Sequence, residues 1–382
     1  MILLNEPNIG NNSKKYVYDC LNTNWVSTSG IYLEKFKQKI KKFTNSKYVT
    51  LTNSGSSALH LALKIAGVSK DTEVICPSMT FIAPINAILY CGGSPIFFDC
   101  DESYNLNIND VINFLKTRTK FEGGRTYNIR TKKTIKAIIV VHMWGNVCEF
   151  EKLKKICKNR SIRIIEDASE SLGSFLIKSN KRIHTGISGD IGCLSFNGNK
   201  IITTGSGGAV LTNNKTFIKS AEYFSAQAKD DSVRFIHNDV GYNYRMANIN
   251  AALGLSQIEN LKYFLQKKKI IRSFYEKKFK DIKGISMINY PKNHDNNFWL
   301  NIISFDKSIK KNIYDIHLYL LKNKIETRMI WYPCHLQKKM KKFENYNIKS
   351  TKNYFDKSLC LPSGTSLTKK NLNKIVKHLC KI

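Results

Sequence analysis

The stretch GDIGCLSFNGNKIITTGSGG, residues 189–208, is the most informative part of this chain. It places one lysine, Lys200, between two short apolar runs, Cys193–Phe196 and Ile201–Ile202, and several glycines follow. Partial desolvation favours the neutral, nucleophilic form of such an amine, and amines of that kind form Schiff bases with aldehydes. Most lysines in a lysine-rich chain lie in solvent, however, so Lys200 alone establishes no chemistry.

An acidic strand end precedes this stretch. Residues 163–173 read RIIEDASESLG, in which an apolar strand is predicted to end at Glu166 and Asp167, with Glu170 shortly after. Ligands of open parallel sheets bind at the carboxyl ends of strands, where Asp167 would lie. A pyridoxal cofactor needs an anion against its pyridine nitrogen, which keeps the ring an electron sink. From the residue alone, an aspartate that caps the following helix is an equally good interpretation.

A third element lies near the N-terminus, where residues 49–67 read VTLTNSGSSALHLALKIAG. The pattern predicts a strand followed by a helix, which the backbone amides of Gly55, Ser56 and Ser57 would open. Amides at a helix N-terminus, together with the helix dipole, bind phosphate groups. A Walker motif is excluded because its Gly-Lys-Ser/Thr ending is missing, and an ordinary helix cap is the alternative interpretation.

These three elements, in this order, resemble the fold-type-I pyridoxal-phosphate enzymes, and more narrowly the DegT/DnrJ/EryC family of nucleotide-sugar aminotransferases. The likeness runs from NEPNIG at 5–10 to CLPSG at 360–364. Within the family, the chain resembles the branch that aminates UDP-linked 4-keto-6-deoxy-N-acetyl sugars for bacillosamine and legionaminic acid. The phrases that carry this likeness are NWVSTSG (24–30), EDASESLGS (166–174), SFNGNKIITTG (195–205), AQAKDD (226–231) and WYPCHLQK (331–338).

The resemblance implies roles around the ring of a pyridoxal 5'-phosphate cofactor. Lys200 falls where the family attaches the cofactor, and Asp167 falls where an acid faces the pyridine nitrogen. Glu170 falls near the position of the phenolic oxygen, and Phe81 falls where an aromatic side chain stacks on the ring. Lys200 and Asp167 are therefore the expected catalytic residues.

The resemblance also implies contacts to the cofactor phosphate. Gly55, Ser56 and Ser195 fall at phosphate-contacting positions. Asn243 falls where the family reaches the cofactor phosphate of a neighbouring subunit, which implies a homodimer with shared active sites.

Two further residues are predicted near the substrate. Arg245 follows Asn243 in the segment GYNYR, where contact with a substrate phosphate and a structural ion pair are both open. His335 lies in a proline-containing turn near the family's substrate cleft, where a substrate contact and a structural histidine are both open. The chain departs from the family at Ser206, usually acidic or glycine, and at Val147, usually proline.

The charge of the chain suggests a different class of partner at first. A net charge of +32 ordinarily indicates nucleic acid or an anionic membrane. Only 10 of the 61 basic residues are arginine, the residue that makes bidentate contacts to phosphates and bases, so we expect no specific nucleic-acid partner.

No signal peptide and no apolar run of the ~20 residues that a membrane span needs are found, so we expect a cytoplasmic, soluble protein. The ten cysteines form no C-x-x-C pair, and we expect no metal site.

The pattern of elements predicts an α/β fold. Strand-like runs occur at Tyr48–Thr52, Glu73–Cys76, Pro95–Asp99, Ile135–Val141, Arg163–Ile165, Cys193–Phe196 and Ala209–Thr212. Helical patterns separate most of them, which is typical of a mostly parallel sheet, whereas residues 117–134 are polar and are expected to form an exposed loop. We predict a large cofactor-binding domain at 1–247 and a smaller C-terminal α+β domain at 248–382.

The resulting hypothesis is a transamination for surface-glycan sugar biosynthesis. L-glutamate would donate its amino group, through Lys200, to the C4 ketone of a UDP-linked 4-keto-6-deoxy-N-acetylhexosamine. The alternative substrates are GDP-4-keto-6-deoxymannose, as for perosamine, and a dTDP-linked keto sugar. A second hypothesis is a binding or regulatory protein that keeps the fold without turnover, against which the intact Lys200, Asp167 and Ser195 argue.

Overall fold

The computed structural model describes residues 1–291 and 293–382. The α-helices are α1 (Asn11–Asn22), α2 (Ile31–Thr44), α3 (Gly55–Ile65), α4 (Ala83–Tyr90), α5 (Ile108–Thr117), α6 (Glu151–Asn159), α7 (Lys215–Ser225), α8 (Asn248–Glu259), α9 (Leu261–Phe279), α10 (Ile313–Lys322), α11 (Thr351–Lys357) and α12 (Lys369–Leu379). Short 3₁₀ turns lie at Met143–Gly145 and Cys334–Leu336. In these described parts of the chain, no helix combines the length and apolar character needed to cross a membrane.

The strands divide between one large sheet and several small ones. They are β1 (Tyr48–Thr52), β2 (Thr72–Pro77), β3 (Ser94–Phe98), β4 (Thr119–Glu122), β5 (Arg125–Asn128), β6 (Thr134–Val141), β7 (Arg163–Asp167), β8 (Phe175–Lys178), β9 (Lys181–His184), β10 (Ile191–Ser195), β11 (Gly208–Thr212), β12 (Lys229–Asp231), β13 (Ile236–His237), β14 (Ile285–Met287), β15 (Asn301–Phe305), β16 (Arg328–Met329), β17 (Glu344–Tyr346) and β18 (Ser358–Leu361). The runs predicted from sequence coincide with β1, β2, β3, β6, β7, β10 and β11 to within two residues at either end.

The central sheet positions the site. Its strand order is β1-β11-β10-β7-β6-β2-β3-β17, and the β4–β5 hairpin joins it through β6. Strands β10, β7, β6, β2, β3 and β17 pair in parallel, whereas β11 runs antiparallel to both β1 and β10. β1 therefore points the same way as β10 and β7, so all three strands end at one edge of the sheet. The predicted α/β fold with a mostly parallel sheet is confirmed.

The apolar runs form these strands because both faces of the sheet are covered. Val74 and Ile75 of β2 and Ile138 and Ile139 of β6 are fully buried, so both side-chain directions of each strand meet apolar neighbours. Burial of such a side chain is worth about 1.5–3 kcal/mol relative to leaving it exposed. The sheet is thus a rigid base for the loops at its edge.

The C-terminal part of the chain builds a second, antiparallel sheet of order β14-β15-β18-β16. Tyr275 of α9, Ile303 of β15 and Leu359 of β18 belong to its apolar core. Two elements after residue 247 pack elsewhere: α8 contacts α1 and α2, and β17 pairs with β3 of the central sheet. The division into domains 1–247 and 248–382 stays a prediction.

Residues 117–134 differ from the expected exposed loop. They contain the antiparallel hairpin β4–β5, and Tyr127 pairs with Thr134 at the start of β6. Gly123 and Gly124 form the two-residue connection at positive φ, a pairing typical of tight hairpins. Alternate residues of β5 are buried, including Thr126, as expected of a strand. Because these buried residues are polar, the alternation is not visible as a hydrophobic pattern in the sequence.

Candidate active site

Three loops meet at the carboxyl edge of the central sheet. The loop after β1 opens α3 at Gly55, the end of β7 carries Asp167, and the loop after β10 carries Lys200. All three residues line one cavity of about 420 Å³. Glu170, Ser56, Ser195 and Phe81 line the same cavity. The three motifs, far apart in sequence, are therefore one site.

Lys200 lies between an acid and an aromatic ring. Its Nζ is 3.6 Å from Glu170 Oε1 and 4.0 Å from the ring centroid of Trp299, and its side chain is 15% exposed. The other carboxylate oxygen of Glu170 accepts a hydrogen bond from the backbone amide of Trp144 at 2.7 Å. Burial raises the pKa of Glu170, and the ammonium of Lys200 partly offsets that rise.

Asp167 is a buried carboxyl at the end of β7. Its Oδ1 accepts a hydrogen bond from the backbone amide of Ser169 at 3.0 Å. Burial raises the pKa of Asp167, with Ser169 and the charge of Lys200 acting in the opposite direction. A cation at this end of the cavity, such as a protonated pyridine nitrogen, would relieve the cost of the buried charge.

The neighbouring Glu166 is also buried, but it is surrounded by more hydrogen-bond donors than Asp167. It accepts hydrogen bonds from His142 Nε2 at 2.9 Å and from the amides of Gly186, Ser188 and Gly189. His142 Nδ1 accepts the amide of Cys148, so its Nε2 carries the proton that it donates. Burial alone would raise the pKa of Glu166, but these hydrogen bonds hold that pKa below its usual value.

The start of α3 forms a cradle against β10. A Cβ added at Gly55 would lie 2.7 Å from Ser195 Cβ, so only glycine allows this close approach. The amide of Ser57 is not free, because it donates to the capping hydroxyl of Ser54 at 3.0 Å. That observation corrects the expectation of three open amides and leaves those of Gly55 and Ser56, the first two of the helix.

These residues fit pyridoxal phosphate. The cradle at Gly55 suits a phosphate, while Asp167 and Lys200 offer an anion and an amine in the same cavity. Among the described residues, Thr80 Oγ1 and Trp331 Nε1 are buried without a hydrogen-bond partner, and both residues line this cavity. Orphaned polar atoms at a cavity wall are typical of a site that binds a polar ligand.

Phe81 lies at the mouth of the cavity. It is 52% exposed, and its ring meets that of Trp331 edge to face at a centroid distance of 5.4 Å. An aromatic pair in this arrangement restricts the ring orientation. The role of Phe81 in stacking on the cofactor stays a prediction.

Three predicted residues do not line the cavity within this single chain. Asn243 is exposed, and its carbonyl oxygen accepts a hydrogen bond from Asn53 Nδ2, in the loop before α3. Arg245 is also exposed and donates to the carbonyl oxygen of Thr28. His335 is half-buried, with Nδ1 2.5 Å from Ser78 Oγ. The direct partners of Arg245 and His335 within the chain are thus uncharged.

Sequence reasoning missed several lining residues. Trp299 is buried, and its Nε1 donates to the carbonyl oxygen of Asn199 at 2.6 Å. Arg328 lies on β16 of the second sheet, and Ser206 donates its hydroxyl to the carbonyl oxygen of Asn53. Arg328 and Trp299 come from the C-terminal third of the chain and carry no local motif. The scarcity of arginines was a signal that could have identified Arg328.

Comparison with known proteins identifies the family. The profile of the DegT/DnrJ/EryC1/StrS aminotransferase family matches residues 7–380. GDP-perosamine synthase of Escherichia coli O157:H7 is 33% identical over 377 residues, which cover 98% of this chain and 95% of that protein. UDP-4-amino-4,6-dideoxy-N-acetyl-beta-L-altrosamine transaminase of Campylobacter jejuni is 32% identical over 257 residues, covering 66% and 63%.

A solved structure shares the fold. Helicobacter pylori PseC, an aminotransferase involved in the biosynthesis of pseudoaminic acid, has a TM-score of 0.88 at 24% identity, covering 100% of this chain and 98% of that one. The predicted family and cofactor are confirmed, since the family's aminotransferases depend on pyridoxal phosphate. The chain therefore belongs to the DegT/DnrJ/EryC1/StrS aminotransferase family and is a pyridoxal-phosphate-dependent sugar aminotransferase.

Proposed function

We propose that the chain transfers the amino group of L-glutamate to the C4 ketone of a nucleotide-linked 4-keto-6-deoxy sugar. The observation that carries this proposal is the meeting of Lys200, Glu170 and Asp167 with the Gly55 cradle in one cavity. Amino-group transfer needs an amine that forms a covalent link, an acid that holds the pyridine nitrogen, and a phosphate anchor. This cavity has a candidate for each requirement.

Lys200 is the proposed proton carrier. When bound, the cofactor supplies an electron sink for the reacting carbon. Lys200 Nζ, once free, takes the proton from the α-carbon of glutamate and returns a proton in the sugar half of the reaction. Glu170, 3.6 Å away, and the ring of Trp299 hold the amine on one side of the cavity. Asp167 would hold the positive charge of the cofactor's pyridine nitrogen when the cofactor is bound.

For the substrate, we propose a UDP-linked 4-keto-6-deoxy-N-acetylhexosamine, on the basis of the five phrases quoted above. The similarity to a Campylobacter transaminase named for a UDP-linked N-acetyl sugar supports this choice. GDP-4-keto-6-deoxymannose is the second candidate, because the E. coli GDP-perosamine synthase matches over nearly the whole chain. A dTDP-linked sugar is the third, since a dTDP-4-amino-4,6-dideoxy-D-glucose transaminase of Shigella dysenteriae is 28% identical.

The first experiment tests the chemistry. Wild-type protein loaded with pyridoxal phosphate should absorb in the visible range, and borohydride should bleach it and fix the cofactor covalently. Lys200→Ala should do neither, whereas Lys215→Ala, an exposed lysine at the start of α7, should behave as wild type. A colourless wild type, or a Lys200→Ala protein that still fixes the cofactor, would contradict the assignment.

The second experiment tests turnover and substrate. Glutamate should convert the bound cofactor to its pyridoxamine form, and failure to do so would favour the binding or regulatory alternative. Incubation with UDP-, GDP- and dTDP-linked keto sugars, read by mass spectrometry, should give an amino sugar from the UDP compound. Preference for the GDP or dTDP sugar would replace the substrate proposal but leave the chemistry standing.

We also propose that the enzyme is a cytoplasmic homodimer with shared sites. Large apolar side chains are exposed beside the hairpin β12–β13, namely Val233, Phe235 and Val240. Exposed apolar patches of this kind mark interaction surfaces. Asn243 follows this hairpin and is exposed, as a residue that serves a partner's site must be. Light scattering should give the mass of a dimer, and a monomer at assay concentrations would contradict the proposal.

A further inference from the structure

Lys268 is a buried lysine that the proposed chemistry does not use. It lies in α9 with 1% of its surface exposed, and its Nζ donates to Asn5 Oδ1 and to the carbonyl oxygens of Trp299 and Ser363 at 2.6–2.8 Å. An ammonium has three donors, and each of them has an acceptor here. None of these acceptors is a carboxylate. Burial lowers the pKa of Lys268 to about 7, so placing a charge here costs stability.

The partners of Lys268 lead to the active-site lysine. The side-chain amide of Asn5 donates to the carbonyl oxygen of Asn199, and Trp299 Nε1 donates to the same oxygen at 2.6 Å. Asn199 directly precedes Lys200 in the chain. The ring of Trp299 also lies 4.0 Å from Lys200 Nζ. One buried ammonium therefore contacts both residues whose side chains hold the peptide that carries Lys200.

The ammonium orients Asn5 in particular. A side-chain amide can present either its oxygen or its nitrogen, and its partners decide which. Because all three partners of Lys268 Nζ are oxygens, Nζ donates to Asn5 Oδ1 and so turns Nδ2 toward Asn199. An uncharged, apolar side chain at 268 would remove that preference and would leave two buried carbonyl oxygens and the half-buried Asn5 Oδ1 without this donor.

We infer that Lys268 is a positioning residue for Lys200, acting through Asn5 and Trp299 on the carbonyl group of Asn199. The inference rests on the proposed role of Lys200 as the cofactor-bearing residue. Displacement of a reacting group by about 1 Å can cost roughly a hundredfold in rate. Loss of the Lys268 ammonium should therefore slow the covalent capture of the cofactor by Lys200 rather than weaken sugar binding.

The test uses Lys268→Met, which keeps chain length and loses the ammonium, and Lys277→Met as the control. Lys277 is an exposed lysine of the same helix. Pyridoxal phosphate is added to the cofactor-free protein, and the rate at which the visible chromophore forms is followed. We expect Lys268→Met to slow this rate roughly ten- to a hundredfold, to lower kcat, and to leave the KM for the sugar within about twofold, and Lys277→Met to match wild type.

Two further variants keep the inference testable if Lys268→Met fails to fold. Asn5→Leu and Trp299→Phe each remove one donor to Asn199, and the phenylalanine retains a ring beside Lys200. Both should slow chromophore formation, and the effects of Asn5→Leu and Lys268→Met should be less than additive because they break one chain of contacts.

The outcomes separate the two proposals. If Lys200→Ala still fixes the cofactor, the proposed function fails. If Lys200→Ala abolishes fixation while Lys268→Met and Asn5→Leu lower only the melting temperature, with unchanged chromophore rate and kcat, the positioning role is overturned and the proposed function remains. Additive effects on the rate would equally refute a path through Asn5.

Discussion

The close approach of Gly55 to Ser195 predicts the effect of alanine at position 55 on cofactor binding. Two energies compete there, the steric cost of the added Cβ and the gain in helix propensity. Gly55→Ala places a Cβ 2.7 Å from Ser195 Cβ and 3.0 Å from its Oγ. Alanine at a helical position is favourable by at most about 1 kcal/mol relative to glycine. Overpacking of a tight contact costs about 1–3 kcal/mol, so the steric cost exceeds the gain in helix propensity.

Real Cβ atoms essentially never approach within 3.0 Å, so the 2.7 Å contact puts the steric cost in the upper part of that range, about 2–3 kcal/mol. The net loss of about 1–2 kcal/mol falls on the cradle itself, since α3 and β10 must separate there. We expect the dissociation constant for pyridoxal phosphate to rise roughly 5- to 30-fold, at about 1.4 kcal/mol per tenfold change. The assay is quenching of protein fluorescence as the cofactor is titrated into cofactor-free protein. The control is Gly198→Ala, where an added Cβ meets nothing within 4 Å.

A double-mutant cycle identifies the contact responsible. In a Ser195→Gly background, the side-chain atoms that the added Cβ would strike are gone, so the further change Gly55→Ala should cost almost nothing. Unchanged cofactor affinity in Gly55→Ala, or an equal loss in both backgrounds, would refute the steric reasoning.

Three other predictions follow from the buried charges and the dimer. Asp167→Asn should raise the melting temperature of the cofactor-free protein at neutral pH, because burial raises the pKa of this carboxyl, yet weaken cofactor binding; a lower melting temperature would contradict it. Hydrogen bonds, led by that from His142, hold the pKa of Glu166 below its usual value of 4.5. The ionised carboxylate therefore stabilises the fold above pH 4.5. This contribution is lost as the pH falls through the lower pKa of the folded state. Glu166→Gln places an amide NH₂ among donor groups, so it should destabilise the protein at neutral pH by about 1–3 kcal/mol and flatten the acid side of its stability curve in urea titrations. Mixing Lys200→Ala with Asn243→Ala should restore part of the activity in heterodimers, and no recovery would count against a shared site.

The parts of the fold and site that sequence predicts well are those with local signals. β1, β7 and β10 are short apolar runs, and the groups that follow each of them are a helix start, an acid and a lysine-bearing loop. Parallel strands present their carboxyl ends at one edge, so the convergence of Gly55, Asp167 and Lys200 follows from the strand signal once the sheet is inferred.

The missed parts depend on contacts distant in sequence. Arg328 reaches the cavity from β16 of the second sheet, and Trp299 reaches it from the segment just before β15. Nothing in their neighbouring residues distinguishes them from core or surface positions. Lys268 lies within the run KKK at 267–269, where Lys267 is half-buried, Lys269 is exposed, and only the helix face distinguishes the buried lysine. The hairpin β4–β5 was missed for a related reason, because its alternation consists of polar residues that the central sheet buries.

The three acids of the segment 166–170 connect the fold to the chemistry. All three are buried, but the hydrogen-bond donors around them differ. Glu166 has four donors and a lowered pKa, which makes it a structural anion that fixes the end of β7. Asp167 and Glu170 have fewer backbone donors, and burial raises the pKa of each, so both are stabilised by a cation.

Lys200 supplies one such cation beside Glu170. The protonated pyridine of the cofactor is the natural second cation, against Asp167. The fold thus leaves the charge of its buried site incompletely balanced, and binding of the cofactor completes it. On this argument the cofactor should stabilise wild type more than Asp167→Asn, by a margin that grows with pH as the Asp167 carboxyl ionises. An equal rise in melting temperature for both proteins would show that the phosphate cradle at Gly55, not the buried acid, provides the binding energy.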